Sequence, residues 1–438
     1  MNNGKSRTIG RRTLLAAAGI GAAASVIPSA TRWSAAQEQL AIGNPDILHS
    51  TDTSKGTVTV YSSWPLGGAY TQAGGDAVDA IRFGLGQLGN AGGGYAINYI
   101  PLDDGIVANG GGWDAAKESA NVITAINDPS TVLYIGTYNS GAAKIAIPMT
   151  NEAGLAMISP FNNYPGLTVS APPFTQPNEP DAYYPTGTRT YFRNNAHDLF
   201  CCRAEAQWMR DQGWDRVYVL HDQSLWGKVV ADIFRSEFEK LGGTIVGFDG
   251  YDPKGTDYMA IMASVANQDP GAIYLATNPD SNPGKGIQDV RAYMDDSVKL
   301  LITATLDESI VTSAGEAADG TFFSSAGLSP AALEPKGGPV AEYVQSMRER
   351  LGREPNFWSL HGLEIAYLLV QALDAAGSDS REDVLAAPAN TTNFTGVYGN
   401  TWSFTETGDP DNFVFAIYQW KDDAWVEYAV LGEISTEA

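Results

Sequence analysis

Residues 131–160 read TVLYIGTYNSGAAKIAIPMTNEAGLAMISP. An apolar run, TVLYI, ends in a turn of small polar residues and restarts as a helical pattern, GAAKIAIPMTNEA, before a second apolar run, LAMISP. Strand, turn, helix and strand in that order make a βαβ unit, and the near-continuous apolar strands are those of a parallel sheet buried on both faces. The turn, Gly136 to Gly141, carries a second message. A helix start exposes backbone N–H groups, here beside the hydroxyl of Ser140, which suits an anion: a phosphate, a reaction intermediate or a carboxylate.

The same alternation extends in both directions. TVTVYSS (57–63) reads as a strand, and AVDAIRFGLGQL (77–88) as a helix with Val78, Ile81, Leu85 and Leu88 on one face. YAINYIPLD and a helix around AKESANVITAIN lead into residue 131. A second series starts near Ala196 with a Cys-containing helix. It runs through RVYVLHD (216–222), a helix from Leu225 to Leu241, GTIVGFDGYD, a helix near Met259 to Asn267, AIYLATN (272–278), a helix near Gln288 to Met294, and LLITATLD (300–307). Two such series predict an α/β protein of two doubly wound parallel-sheet lobes. Between them, VSAPPFTQPNEPDAYYPTGTRTYFR (169–193) has no periodicity and reads as a structured or functional surface loop. From Val397 onward the pattern changes to short alternating strands, with a turn at Thr407-Gly408-Asp409-Pro410 and an aromatic-rich ribbon after it.

The first thirty-six residues stand apart. A basic segment with Arg11-Arg12, an apolar run from Leu14 to Ile27 and small residues to Ala36 make a twin-arginine export signal (1–36), followed by a polar linker, 37–55. The apolar run is shorter than the roughly 20 residues a membrane span needs. No cysteine lies near Ser34-Ala35-Ala36 to carry a lipid, so the chain is expected outside the cytoplasm, periplasmic or extracellular, either free or held through an uncleaved signal. Losing residues 1–36 would remove Lys5, Arg7, Arg11, Arg12 and Arg32 and no acid, taking the net charge from −23 to −28. Such a surface repels phosphate backbones and excludes nucleic acid as a partner. The apolar share, 44%, is that of folded domains, and the length suits two of them.

Few motifs compete for the function. Gly84-Leu85-Gly86-Gln87-Leu88-Gly89 fits GxGxxG but lies at the end of a helix instead of between a strand and a helix, so it reads as a helix terminus. There is no GxxxxGK[ST], HExxH or GxSxG, and four histidines leave little for a hydrolytic triad or a metal centre; no cofactor and no metal are expected. Cys201 and Cys202 are adjacent, could close no long loop, and read as small buried apolar residues. The strand ends are more informative. Tyr138, Asn139 and Ser140 follow one strand; Phe161, Asn162 and Asn163 follow the next; Trp226, Asn278 and Asp307 follow strands of the second series. Carboxyl-end loops of doubly wound sheets lie side by side at a crevice. Hydroxyl and amide donors, an aromatic wall and one acid suit a small zwitterion, whereas Ser140 and Asn163 taken singly would read as helix caps.

IGTYNSGAAKIAIPMTNEAGLAMISPFNNYPGLT (135–168) resembles the corresponding block of the leucine/isoleucine/valine-binding proteins, the type I periplasmic binding proteins of ABC importers. HDQSLWGK and FDGYDPKGTDYMAIMASV resemble two of their later segments, and the likeness runs in order from about residue 57 to 438. The resemblance implies two lobes joined by a three-strand hinge, 56–193 with 326–394 and 194–325 with 395–438. It implies that Ser140 and Asn163, with N–H groups near Asn139 and Phe161, hold a ligand carboxylate, that Asp307 receives an ammonium, that Trp226 walls the cleft, and that Tyr70 lies in a loop covering the ligand side chain. Asn163 stands where the family usually has Thr, Asn278 where it often has an aromatic, and the 169–193 stretch is longer. These departures point away from a branched-chain aliphatic ligand and leave amides, other amino acids and aromatic acids open. The function implied is capture of a small polar solute, without catalysis, by a monomer that delivers it to a membrane ABC permease. A ligand-sensing subunit for a separate receptor, or a cleft enzyme acting on a small amide, are the other readings.

Overall fold

The computed structural model describes residues 42–303 and 308–435. The signal, the first part of the linker and Asp307 lie outside the described residues.

The first sheet holds β1 (Gly56–Trp64), β2 (Ala91–Gly92), β3 (Tyr95–Asp103), β4 (Thr131–Gly136), β5 (Ala156–Ser159) and β6 (Tyr191–Arg193) in the order β2-β3-β1-β4-β5-β6. All its pairings are parallel except that of the short β2 with β3. Every residue of β4 is buried, as its unbroken apolar run requires. Helices α1 (Thr71–Gln87), α2 (Ala115–Asn127) and α3 (Ser140–Glu152) alternate with these strands. The second series supplies α4 (Asp198–Asp211), β7 (Arg216–His221), α5 (Leu225–Lys240), β8 (Thr244–Gly250), α6 (Met259–Ala266), β9 (Ala272–Ala276), α7 (Pro283–Tyr293), β10 (Lys299–Ile302), α8 (Glu308–Ala314) and β11 (Phe322–Ala326). Its strands run β11-β10-β9-β7-β8, so both sheets reverse strand order beside their first strand, at the β1–β4 and β7–β9 gaps.

After β11 the chain forms α9 (Pro330–Leu333), α10 (Gly338–Leu351), α11 (Ser359–Ala376) and α12 (Arg381–Ala389), then the small pair β12 (Phe394–Thr395) and β13 (Thr401–Trp402). Helix α11 packs along α1, and Gly84 of the GxGxxG match serves that contact. A Cβ on Gly84 would sit 2.7 Å from the Cβ of Ala366, so the two helices touch backbone to side chain there. The chain ends in the hairpin β14 (Asn412–Lys421) and β15 (Ala424–Ser435), which joins the second sheet antiparallel to β11. That sheet is therefore mixed at one edge, formed by the tail that the sequence pattern predicted as short alternating strands and an aromatic-rich ribbon. Asp422 and Asp423, with φ of 52° and 59°, form its two-residue turn.

Three connections pass between the sheets: β6 to α4, β11 to α10, and α12 to β14. The first and third are pinned together by Arg193, fully buried, which ion-pairs with Asp409 and donates to the carbonyls of Asn162 and Tyr164 at 3.2 and 2.9 Å. Burial would raise the Asp409 carboxyl, but the charge of Arg193 beside it holds it below the usual carboxylate range. The 169–193 stretch is fastened to α3 through Glu179, which accepts from Lys144 Nζ at 2.7 Å and from the hydroxyls of Tyr164 and Tyr183. Cys201 and Cys202 are buried free thiols, raised by burial.

Candidate functional site

Between the carboxyl ends of the two sheets lies a cavity of about 270 Å³. Four loops at the carboxyl ends of the strands, three of them at the two switch points, build most of it. From the first lobe, the β4–α3 turn supplies Tyr138, Asn139, Ser140 and Gly141, and the loop after β5 supplies Phe161 and Asn163. Across the cleft, the β7–α5 turn supplies Ser224, Leu225 and Trp226, and the loop after β9 supplies Asn278 and Pro279. Trp113, before α2, and Trp358, before α11, complete the lining.

Each wall is held by a buried polar brace. On the first-lobe side Ser159 donates to the carbonyl of Thr137 at 2.9 Å and accepts from the N–H groups of Phe161 and Asn162. The Asn162 amide donates to the carbonyls of Thr137 and Tyr138, and its oxygen accepts from the Tyr191 hydroxyl. On the opposite side Asp222 fills the same role. One of its oxygens accepts from the Ser224 N–H and hydroxyl, and the other from the backbone and amide N–H of Asn278 and the Ser281 hydroxyl. Gly227 is required there, because a Cβ would lie 2.2 Å from the Asp222 carboxylate.

The chemistry of the lining follows from these frames. The N-termini of α3 and α5 both reach the cavity, and each brings the positive end of a helix dipole. The Asn139 side chain does not cap α3; the Ala142 and Ala143 N–H groups bond to the Asn139 carbonyl, and Ser140 and Gly141, which open the helix, line the cavity. Ser140 Oγ accepts from the Tyr164 N–H at 3.3 Å, and a hydroxyl so engaged still has its hydrogen to donate. Trp358 is buried, with its indole N–H unpartnered. Aromatic rings form the rest: Tyr138 lies 4.8 Å from Phe161, which meets Trp358 at 6.2 Å. Among the described residues no charged side chain lines the cavity.

Of the residues singled out in the sequence, the cavity brings together Tyr138, Asn139, Ser140, Phe161, Asn163, Trp226 and Asn278. Asn162 sits behind the wall as a brace. Tyr70 is also behind it, fully buried, with its ring edge-on to Tyr138 at 5.0 Å. Its hydroxyl crosses between the lobes to donate to Asp280 Oδ1 at 2.9 Å. Burial, then the Asp280 charge, push the Tyr70 hydroxyl well above its ordinary pKa; burial likewise raises Asp280. Trp113, Ser224, Leu225, Pro279, Asp280 and Trp358 were not singled out. Trp113 and Pro279 follow strands at the same ends, so the strand-end rule could have found them; Trp358 precedes a helix and carries no such signal.

A family model for periplasmic binding proteins matches residues 57–424. The chain belongs to the periplasmic binding protein family. A Leu/Ile/Val-binding protein homolog of Brucella suis is 24% identical over 317 residues, covering 71% of this chain and 78% of its own length. Among solved structures, a leucine binding protein from Thermotoga maritima superposes with a TM-score of 0.72 at 20% identity, over 85% of this chain and 98% of that one. An ABC transporter solute binding protein from R. palustris, in complex with benzoate, gives a TM-score of 0.72 at 19% identity, over 87% and 98%. The two-lobed α/β fold of a type I periplasmic binding protein is thus the fold of this chain, and its family works outside the cytoplasm binding small solutes for ABC importers. Among the described residues of this periplasmic binding protein, no helix is long and apolar enough to cross a membrane, and no three His, Cys, Asp or Glu residues are grouped to hold a metal ion.

Proposed function

We propose that this protein is the extracytoplasmic binding subunit of an ABC importer for a small organic acid, with aromatic acids preferred over branched-chain amino acids. The observation that carries the reading is the cavity itself: five aromatic residues, Trp113, Tyr138, Phe161, Trp226 and Trp358, wall a space onto which two helix N-termini converge. Dipole ends, the Ser140 hydroxyl and the Trp358 indole are donors for a carboxylate, and flat rings favour a flat body. An amino acid would in addition need an acceptor for its ammonium, the role assigned to Asp307.

The twin-arginine signal over 1–36 carries the chain out of the cytoplasm, and the lobes are 56–193 with 326–394 and 194–325 with 395–438. The monomer closes by bending at the three connections. The solute touches both lobes only when they meet, so it shifts the population toward the closed form, which a membrane permease receives. No bond is made or broken.

A thermal-shift screen tests this against aromatic acids, aliphatic amino acids and neutral amides. A solute at a hundredfold excess over its Kd stabilises by about 2.7 kcal/mol, readily seen as a higher Tm. Aromatic acids are expected among the hits. Hits confined to amino acids would return the ammonium contact to Asp307, and hits confined to neutral amides would remove the carboxylate from the account.

A further inference from the structure

A second cavity, of about 260 Å³, lies where the lobes meet near the β11–α10 connection. Its walls come from both lobes and from the crossing itself: Glu354 to Phe357 between α10 and α11, Ser329 to Ala331 after β11, and the tip of the β14–β15 hairpin. Three aromatic rings line it, those of Phe357, Trp420 and Trp425, and the two indoles meet edge to face at 4.8 Å. Its charged lining residues are all carboxylates, Glu308, Glu354 and Asp423, with no Lys or Arg. Glu354 accepts from Arg348 through Oε1, while its Oε2 has no hydrogen-bond partner.

Asn356 adds an independent sign. It lines the cavity and is 1% exposed. Its Oδ1 accepts from the Trp358 backbone N–H at 3.0 Å, which fixes the amide orientation, and its Nδ2 is left as a buried donor without a partner. A buried donor in that state costs stability unless something supplies an acceptor.

We propose that this cavity is a second ligand site, taking a small organic cation with an alkylated ammonium and a hydroxyl or carbonyl oxygen. Aromatic faces attract such a head through their quadrupoles, carboxylates at the rim match its charge, and Asn356 Nδ2 meets the oxygen. The site couples to the solute cleft through one short segment. Phe357 faces this cavity and packs on Tyr418, while its neighbour Trp358 lines the cleft against Phe161. Because the walls belong to both lobes, occupancy responds to closure, and the two ligands modulate one another's affinity reciprocally.

Isothermal titration of choline into the full-length protein tests this, with 3,3-dimethyl-1-butanol as its uncharged isostere. Saturable choline binding is expected, with the isostere about tenfold weaker or more, the difference a desolvated cation–π contact provides. Trp425→Ala, and separately the pair Glu354→Gln with Asp423→Asn, should each weaken choline about tenfold. The charge pair keeps the rings in place, so it decides the matter should Trp425→Ala fail to fold. Absence of saturable binding, equal binding of the isostere, or undiminished choline binding in the folded charge-pair variant would each overturn the proposal, the last by moving the cation away from this cavity.

Discussion

Tyr70→Phe isolates the energy that holds the two lobes together. The substitution keeps the ring against Tyr138 and removes only the hydroxyl that donates to Asp280 Oδ1 at 2.9 Å. Tyr70 is fully out of solvent and burial raises the Asp280 carboxyl, so water does not readily replace the lost donor. A hydrogen bond to a charged group contributes about 1.5–3 kcal/mol. Since this one joins a loop after β1 to a loop after β9, it exists only with the lobes closed, and all of that energy belongs to the closed form. At about 2 kcal/mol the closed-to-open ratio falls about thirtyfold, and the apparent Kd of a solute that needs closure rises by up to that factor. The effect also has a pH signature. Asp280 has a raised pKa when closed, so closure takes up a proton and weakens as pH rises through that pKa. Losing the Tyr70 donor raises it further, so the variant's affinity should go on falling to a higher pH than the wild type's. Titration calorimetry across pH, paired with small-angle scattering of the lobe separation, reads both effects. Unchanged Kd, unchanged scattering and the same pH profile in Tyr70→Phe would refute the reasoning.

Two further substitutions test the hinge. Asp409→Asn leaves Arg193 buried without its carboxylate, and breaking one side of a buried pair costs about 3–5 kcal/mol, so chemical denaturation should show a large loss of stability while Asp181→Asn, on the exposed part of the 169–193 stretch, stays near wild type. Asp198, at the start of α4, is pushed up to about 8 by burial, with the Trp226 indole and the Arg193 charge opposing this and Glu205 adding to it. The unfolded chain ionises near its ordinary 3.8, so the stability from the neutral folded carboxyl is full below that value and lost as pH rises toward 8. The slope is up to about 1.4 kcal/mol per pH unit, and Asp198→Asn should remove it from the pH dependence of unfolding.

The fold was legible because its strands are buried on both faces. Unbroken apolar runs such as TVLYI and AIYLA mark themselves, and the turns that end them sit by topology at one crevice. Ser140, Asn163, Trp226 and Asn278 followed from that rule alone. It could not separate a residue that faces the cleft from one that braces it: Asn162 adjoins Asn163, yet its amide is consumed by the Thr137 and Tyr138 carbonyls. Trp358 was invisible because it reaches the cavity from a distant helix start, and the Tyr70–Asp280 bond because its partners are 210 positions apart. Helix α1 begins at Thr71, before the first apolar periodic residue, since TQAGGD carries no pattern to read.

Titration of the strongest solute from the screen into the wild type and into Trp226→Ala tests most directly whether the interlobe cavity is the binding site. A Trp that anchors a bound solute is a hot spot whose truncation costs about 2 kcal/mol, so the account predicts about a thirtyfold rise in Kd with the fold intact. An unchanged Kd in a folded Trp226→Ala would place the solute elsewhere and contradict the account.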